Sequence, residues 1–367
     1  MGSVWGNTIK VSIFGESHGG GIGVVLDGFP SGIAFDEAFV LSEMERRAPG
    51  RNKQSTARKE KDAPKILSGV YQGYTTGTPI CAMIENTDTR SGDYKDFSTQ
   101  PRPAHADYTG LVRYGGYNDP RGGGHFSGRL TAPLVFAGAM CKLFLKSKGI
   151  TVGAHIQSIA QIQDTPFDDV EVTAEQLDKI RLQEYPVINP LAEKAMLSAI
   201  EDARLDQDSV GGVIECAAVG VPAGLGSPMF DTIESKLSSI LFAVPAVKGV
   251  EFGVGFGFAD FRGSHANDAF MLSDDEKVIT ETNNNGGVLG GITSGMPLVF
   301  RTVIKPTPSI SKKQRTLNLS TGEVEDLVIK GRHDPCIVTR AAPVIEAAAA
   351  IALADIYVEG YGYANAE

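Results

Sequence analysis

Residues 15–21 read Gly-Glu-Ser-His-Gly-Gly-Gly and follow a short apolar run. Glycines at a strand end let the backbone turn sharply and offer amide donors to an anion. A histidine held there titrates near neutrality, which suits proton transfer. The plain alternative is a tight turn carrying a surface histidine. No Gly-Lys-Ser/Thr closes the motif, so it is not a P-loop.

Two further stretches concentrate residues able to do chemistry. Residues 102–108 (RPAHADY) and 119–129 (DPRGGGHFSGR) place His, Arg, Asp, Ser and a triple glycine just ahead of an apolar segment. Backbone amides at a helix start attract phosphate; the alternative is a long surface loop. Residues 305–309 (KPTPS), 330–336 (KGRHDPC) and Arg340 form the second group. Asp334 is suited to orienting a donor or accepting a proton, or simply to capping a helix with an ion pair. A basic run, Arg46, Arg47, Arg51, Lys53, Arg58, Lys59, Lys61 and Lys65, reads by default as a solvated face. In an acidic chain it also suits a small substrate with two or three negative charges, because guanidinium binds phosphate and carboxylate through a planar fork. Residues 253–257 (GVGFG) match part of a dinucleotide fingerprint but lack its strand–turn–helix setting, and read as a glycine-rich strand. His155 and His265 stand apart from these motifs and read as structural.

The elements that must position these residues are partly legible. Apolar strands are expected over 9–14 and 22–27, around the first glycine turn. A helix follows over 36–47, with Asp36 as its N-cap. Residues 66–72 and 78–85 read as a hairpin with Gly77 near the turn. Residues 86–129 show almost no periodicity; so long a segment without regular structure is usually functional or disordered, and its arginines and aromatics favour function. An apolar, buried helix is expected over 131–148, a strand over 150–159, and an amphipathic surface helix over 190–205. Then come a strand over 210–219, a turn-rich connector over 220–228, a helix over 230–244 and a strand over 249–258. A second glycine-rich loop, 283–295, leads into a strand over 296–304. The alanine-rich 342–358 reads as a core helix starting near Pro343. No linker or short-period repeat divides the chain, so 1–367 is expected to be one domain.

Composition narrows the field. With 367 residues and 42% hydrophobic content the chain can bury a large core. A net charge of −10 argues against general affinity for nucleic acid or an anionic membrane. No run of about 18 apolar residues and no signal-peptide pattern is expected to anchor the chain, so no membrane partner is expected. Cys81, Cys141, Cys216 and Cys336 have no paired short spacing, which argues against zinc and disulfides and fits a reducing cytoplasm.

Taken together, the motifs resemble the chorismate synthase family. The matching pieces run in the family's order over nearly the whole chain: 14–20 (FGESHGG), 27–28, 46–50 (RRAPG), 67–70, 76–78, 84–88 (IENTD), 102–108, 121–124, 220–226, 246–251 (AVKGVE), 286–295, 305–307 and 330–336. The resemblance implies an α+β fold, a β-α-β sandwich with helices enclosed between antiparallel sheets, assembled as a homotetramer. It implies a lyase of the shikimate pathway to aromatic amino acids: a 1,4-anti elimination of phosphate from 5-enolpyruvylshikimate 3-phosphate, giving chorismate. It also implies reduced FMN (FMNH2) as cofactor from an external source, with NADPH as a further ligand. Flavin lends electron density as phosphate departs from an allylic carbon and recovers it as hydrogen leaves, while the protein supplies positioning and charge.

Residue by residue, His18 and His105 match the family's two active-site histidines, His18 assigned to the departing phosphate and His105 to the flavin. Asp334 matches the acidic residue near flavin N5. Ser127, Pro245, Ala246, Gly290, Lys305, Pro306, Thr307, Pro308, Ser309 and Arg332 fall on flavin-contact positions. Arg47 and Lys53 fall on positions linked to the substrate's anions or to NADP, and Arg129 and Arg340 are further anion candidates. One departure stands out: the common family pattern after 121–124 is Arg-Ser-Ser-Ala-Arg-Glu-Thr, whereas this chain has His125-Phe126-Ser127-Gly128-Arg129-Leu130-Thr131.

Two rival readings use the same residues. An NADPH-linked flavin reductase or other flavoprotein would need net hydride transfer, yet no Rossmann unit is legible. A nucleic-acid binder built on 46–65 would need interleaved aromatics and the opposite net charge.

Overall fold

Alternation along the strand Gly21–Asp27 buries Ile22, Val24 and Leu26 on one face, the period-2 signature of a half-covered antiparallel sheet. The computed structural model describes residues 2–50, 62–87, 97, 99–329 and 334–362. In it this strand is the middle of a five-stranded antiparallel sheet, ordered Val4–Trp5, Lys10–Gly15, Gly21–Asp27, Ile80–Glu85, Lys65–Ser68. A second five-stranded antiparallel sheet is ordered Val247–Phe252, Leu298–Ile304, Gly212–Val219, Thr151–Ile159, Ile162–Gln163.

Eight helices are described: α1 (Glu37–Arg47), α2 (Asp107–Arg113), α3 (Thr131–Ser147), α4 (Ala174–Arg181), α5 (Pro190–Leu205), α6 (Ile233–Leu241), α7 (Gly263–Ala266) and α8 (Val338–Tyr361). The two apolar ones, α3 and α8, pack on each other between the sheets, α3 against the first and α8 against the second. Gly138 sets their spacing, since a Cβ there would run into the Cα and Cβ of Ala347. By length and composition both helices would suit a membrane, but here their apolar surface is mostly buried within the fold. The result is the helix-filled sandwich that the resemblance implies.

The charges inside this layer are paired, as burial requires. Glu346 on α8 accepts two hydrogen bonds of 2.7 Å from Arg46 on α1, and it also pairs with Lys142 on α3. Glu43 joins the same network. The result ties the C-terminal end of α1 to the start of α8, where the candidate site lies. Arg46 is therefore a core residue, not part of a solvated basic face; Arg51, Lys53, Arg58, Lys59 and Lys61 lie outside the described residues.

Several boundaries differ from the sequence reading. The 66–85 hairpin turns at Gln72 and Gly73, which have φ 48° and 79°, and not at Gly77. Residues 253–257 leave the strand after Phe252 and enter a 3₁₀ turn over Gly255–Asp260, because Gly253 and Gly255 take positive φ. Helix α6 is shorter than 230–244, being preceded by a 3₁₀ turn and capped by Thr232. α8 begins at Val338, placing Pro343 inside it rather than at its start. The segment 86–129 is not structureless: it holds α2 and 3₁₀ turns at Arg121–Phe126 and Gly128–Leu130.

Candidate active site

Three successive glycines take left-handed backbone angles, Gly122 (φ 60°), Gly123 (φ 83°) and Gly124 (φ 54°). Only glycine takes such a run without strain. It folds 121–126 over the end of the strand Lys10–Gly15, where the Ser17 N–H donates to the Gly124 carbonyl at 3.1 Å. The absent side chains leave room for imidazoles. A Cβ on Gly122 would come within 2.5 Å of His18 Cδ2, and one on Gly123 within 3.5 Å of His105 Nε2. His18 and His105, 87 positions apart in the chain, thus lie against adjacent residues of one turn. The buried Ser17 hydroxyl lies beside them and has no hydrogen-bond partner among the described residues.

His105 is held by its own loop. Its Nδ1 lies 2.6 Å from Asp107 Oδ1, and Asp107 also accepts 2.8 and 2.7 Å hydrogen bonds from Arg102. Burial would raise the Asp107 carboxyl, but Arg102 and His105 outweigh it and hold it well below the usual range. Arg102 stacks over Phe97 at 4.6 Å and donates to Ser309 Oγ at 3.3 Å. Lys305 Nζ donates to the Ala104 carbonyl at 2.6 Å, and its N–H donates to the carbonyl of Ala246. Partial burial, with Lys248 nearby, pushes the Lys305 amine down. The expected positions Lys305 and Ser309 therefore meet the His105 loop, Ala246 is joined to Lys305, and Pro245, Pro306, Thr307 and Pro308 lie beside them in the chain.

Ser127 bridges to an arginine cluster. It flanks Gly123 and accepts from the Arg129 N–H at 3.3 Å. Asp62 sits between Arg47 and Arg129 and pairs with both. Arg47 also donates to Thr131 Oγ1 at 3.1 Å and to the Gly128 carbonyl at 3.2 Å. Arg340 donates to the Arg47 carbonyl at 3.1 Å and to Asp334 at 2.8 Å. Burial, with Arg340 and Arg129 adding repulsion, pushes the Arg47 guanidinium down to about 10 against the pull of Asp62, so it is still charged near neutrality. Asp62 is drawn down despite its burial by Arg47 and Arg129. Among the described residues, Arg47, Arg129 and Arg340 thus gather around Asp62 and Asp334.

Gly290 is not brought to this cluster within the chain. It sits on an exposed hairpin turn whose Thr293 bonds to Leu225, beside Gly360. That is near the C-terminal end of α8, about 30 Å along the helix from Arg340. Lys53 and Arg332 lie outside the described residues. The sequence reading gave no role to Asp107, Arg102, Asp62, Asn86 or Asp119. Asp107 had a signal, an Arg, a His and an Asp within six residues of one loop. Asp62 had none, because an acid inside a basic run reads as ordinary charge mixing. Asn86 accepts from Arg129 at 3.2 Å, and Asp119 lies close enough to His18 for their charges to interact.

The family profile described as chorismate synthase matches residues 9–358. Chorismate synthase of Thermococcus kodakarensis is 49% identical over 350 residues, covering 95% of this chain and 96% of its own. That of Methanosarcina mazei is 44% identical over 354 residues, covering 96% and 95%. A crystal structure of chorismate synthase superposes with a TM-score of 0.75 at 30% identity, covering 98% of this chain and 94% of the other.

Proposed function

Since the chain belongs to the chorismate synthase family, we propose that the two-histidine turn and the arginine cluster together form its active site. The chain is a lyase of the shikimate pathway, eliminating phosphate from 5-enolpyruvylshikimate 3-phosphate to give chorismate. The observation that carries the site assignment is the placing of His18 and His105 against neighbouring glycines of one turn.

In this reading Arg47, Arg129 and Arg340 receive the substrate's phosphate and carboxylates. Their pairing with Asp62 and Asp334 holds the guanidiniums in place before the anion arrives, so little is lost in ordering them. His18 donates a proton to the departing phosphate, a role suited to an imidazole beside the Asp119 carboxylate. Asp107 holds the proton on His105 Nδ1, which leaves Nε2 at Gly123 and Ser127 to protonate or steady the cofactor. Asp334, held by Arg340, assists hydrogen removal.

The residues around His105 fit reduced FMN. Lys305 and Arg102 bring positive charge, Ser309 and Ser127 bring hydroxyls, and the buried Thr307 hydroxyl lacks a partner among the described residues. Pro245, Ala246, Pro306 and Pro308 adjoin these residues in the chain or through the Lys305 backbone. Reduced FMN, held by these residues, would supply the electron density that an allylic elimination of phosphate needs. We read the chain as one domain, cytoplasmic and homotetrameric, with flavin reduced elsewhere and NADPH as an additional ligand near Arg47 and Lys53. Gly290 is given no role within its own protomer.

Anaerobic turnover with chemically reduced FMN and the phosphorylated enolpyruvyl substrate tests this. Phosphate release without net flavin oxidation is expected; stoichiometric flavin oxidation would favour a reductase.

A further inference from the structure

A turn made of three left-handed glycines has no side chains of its own to hold it, and glycine gives up more conformational freedom than any other residue when it is fixed. Gly122, Gly123 and Gly124 nevertheless have to lie against His18 and His105. Two hydrogen bonds brace the turn against the strand end that leads to His18, and they run in opposite directions. The Ser17 N–H donates to the Gly124 carbonyl at 3.1 Å. The His125 Nδ1–H donates to the Gly15 carbonyl at 2.9 Å. Residues 15 and 17 of one strand end are thereby matched with 125 and 124 of the turn. The first bond is main chain to main chain and survives any substitution other than proline at 17. The second depends on a single side chain.

We propose that His125 is a positioning residue for His18: by locking the triple-glycine turn to the Gly15 carbonyl, it fixes the surface against which the His18 ring is set. The inference rests on the reading of His18 as a proton donor. The neutral ring with its proton on Nδ1 is enough to make the bond, and Nε2 faces Ser3 Oγ at 3.5 Å. Next to it, Phe126 covers Gly110 and packs on Tyr114 with ring centroids 6.2 Å apart, fixing the turn's other side.

The test compares His125→Asn with His125→Phe. The asparagine amide places an N–H where Nδ1 stands; phenylalanine keeps the ring and loses the donor. His125→Phe should lose about threefold to tenfold in kcat, the scale of one hydrogen bond, with KM for the phosphorylated substrate unchanged. His125→Asn should recover most of that loss. In the flavin-free protein, the His18 imidazole resonance, titrated by NMR, should move in His125→Phe and return in His125→Asn. If His125→Phe does not fold, His125→Ala takes its place in the same comparison. Equal loss in the Asn and Phe variants, or an unmoved His18 resonance, overturns the inference. A His18→Ala variant separates the two readings. If it is impaired while His125→Phe is not, the inference alone falls; if His18→Ala keeps the parent rate, the role of His18 falls and the inference with it.

Discussion

Asp107 Oδ1 lies 2.6 Å from His105 Nδ1, and both oxygens of the same carboxylate are engaged by Arg102. A carboxylate so placed orients the ring and holds Nδ1 toward Asp107. His105→Ala should cut turnover roughly 10²- to 10⁴-fold, the range for a lost acid–base group. Asp107→Asn should cost roughly 10- to 100-fold, as for a hydrogen bond to a charged group. Steady-state kinetics on the three proteins checks both; a parent-like rate in Asp107→Asn would detach Asp107 from the chemistry.

Asp62 pairs with two buried guanidiniums at once. Asp62→Asn should destabilise the protein by about 3–5 kcal/mol, the usual cost of leaving buried charge without its partner. Urea titration measures it. An anion that binds the freed arginines should return part of that stability by mass action, so inorganic phosphate should protect Asp62→Asn more than the parent. Equal protection would mean that the cluster is not an anion site. Arg47→Ala should weaken binding of the phosphorylated substrate, raising its KM.

Gly122 has φ 60°, and a Cβ there would meet both the His18 ring and the Ser17 hydroxyl. Gly122→Ala should abolish most activity while costing about 1 kcal/mol or more in stability, the scale of an alanine forced into left-handed backbone. Rate and melting temperature measured side by side would separate displacement of His18 from general unfolding.

What was legible in the sequence follows from where its signals are local. Helix α5 matched 190–205 because Asn189 caps it, Pro190 opens it and its apolar spacing is regular; α1 is set by Asp36, whose side chain accepts from the Phe39 N–H. The core strands announced themselves by alternation. Helix α2 did not, since only Gly110 on it is buried and it carries little apolar pattern. The triple-glycine motif marked a close backbone approach, but nothing in its spacing said that the approaching groups were His18 and His105. The Asp62 pairing depends on three chain segments meeting, a tertiary fact with no local trace.

His155 was read as structural, and it is wholly buried between Asp164, at 3.1 Å from Nδ1, and Glu215, at 2.8 Å from Nε2. Burial alone would lower its pKa, but the two carboxylates outweigh that and raise it above the ordinary 6.5. A raised imidazole stabilises the fold fully below its unfolded pKa and loses that contribution as pH climbs through the folded value. The melting temperature of the parent should therefore fall as pH rises from about 6.5 into the alkaline range. Asp164 also accepts the backbone N–H groups of Ile188 and Asn189, and Glu215 that of Phe167, so what loosens first should be the 164–189 excursion. His155→Gln keeps a donor but cannot be charged. It should be less stable than the parent near pH 6 and flatter above it, so the two curves converge at alkaline pH. Parallel curves would mean that His155 is neutral in the folded protein and that its carboxylate neighbours carry the proton instead.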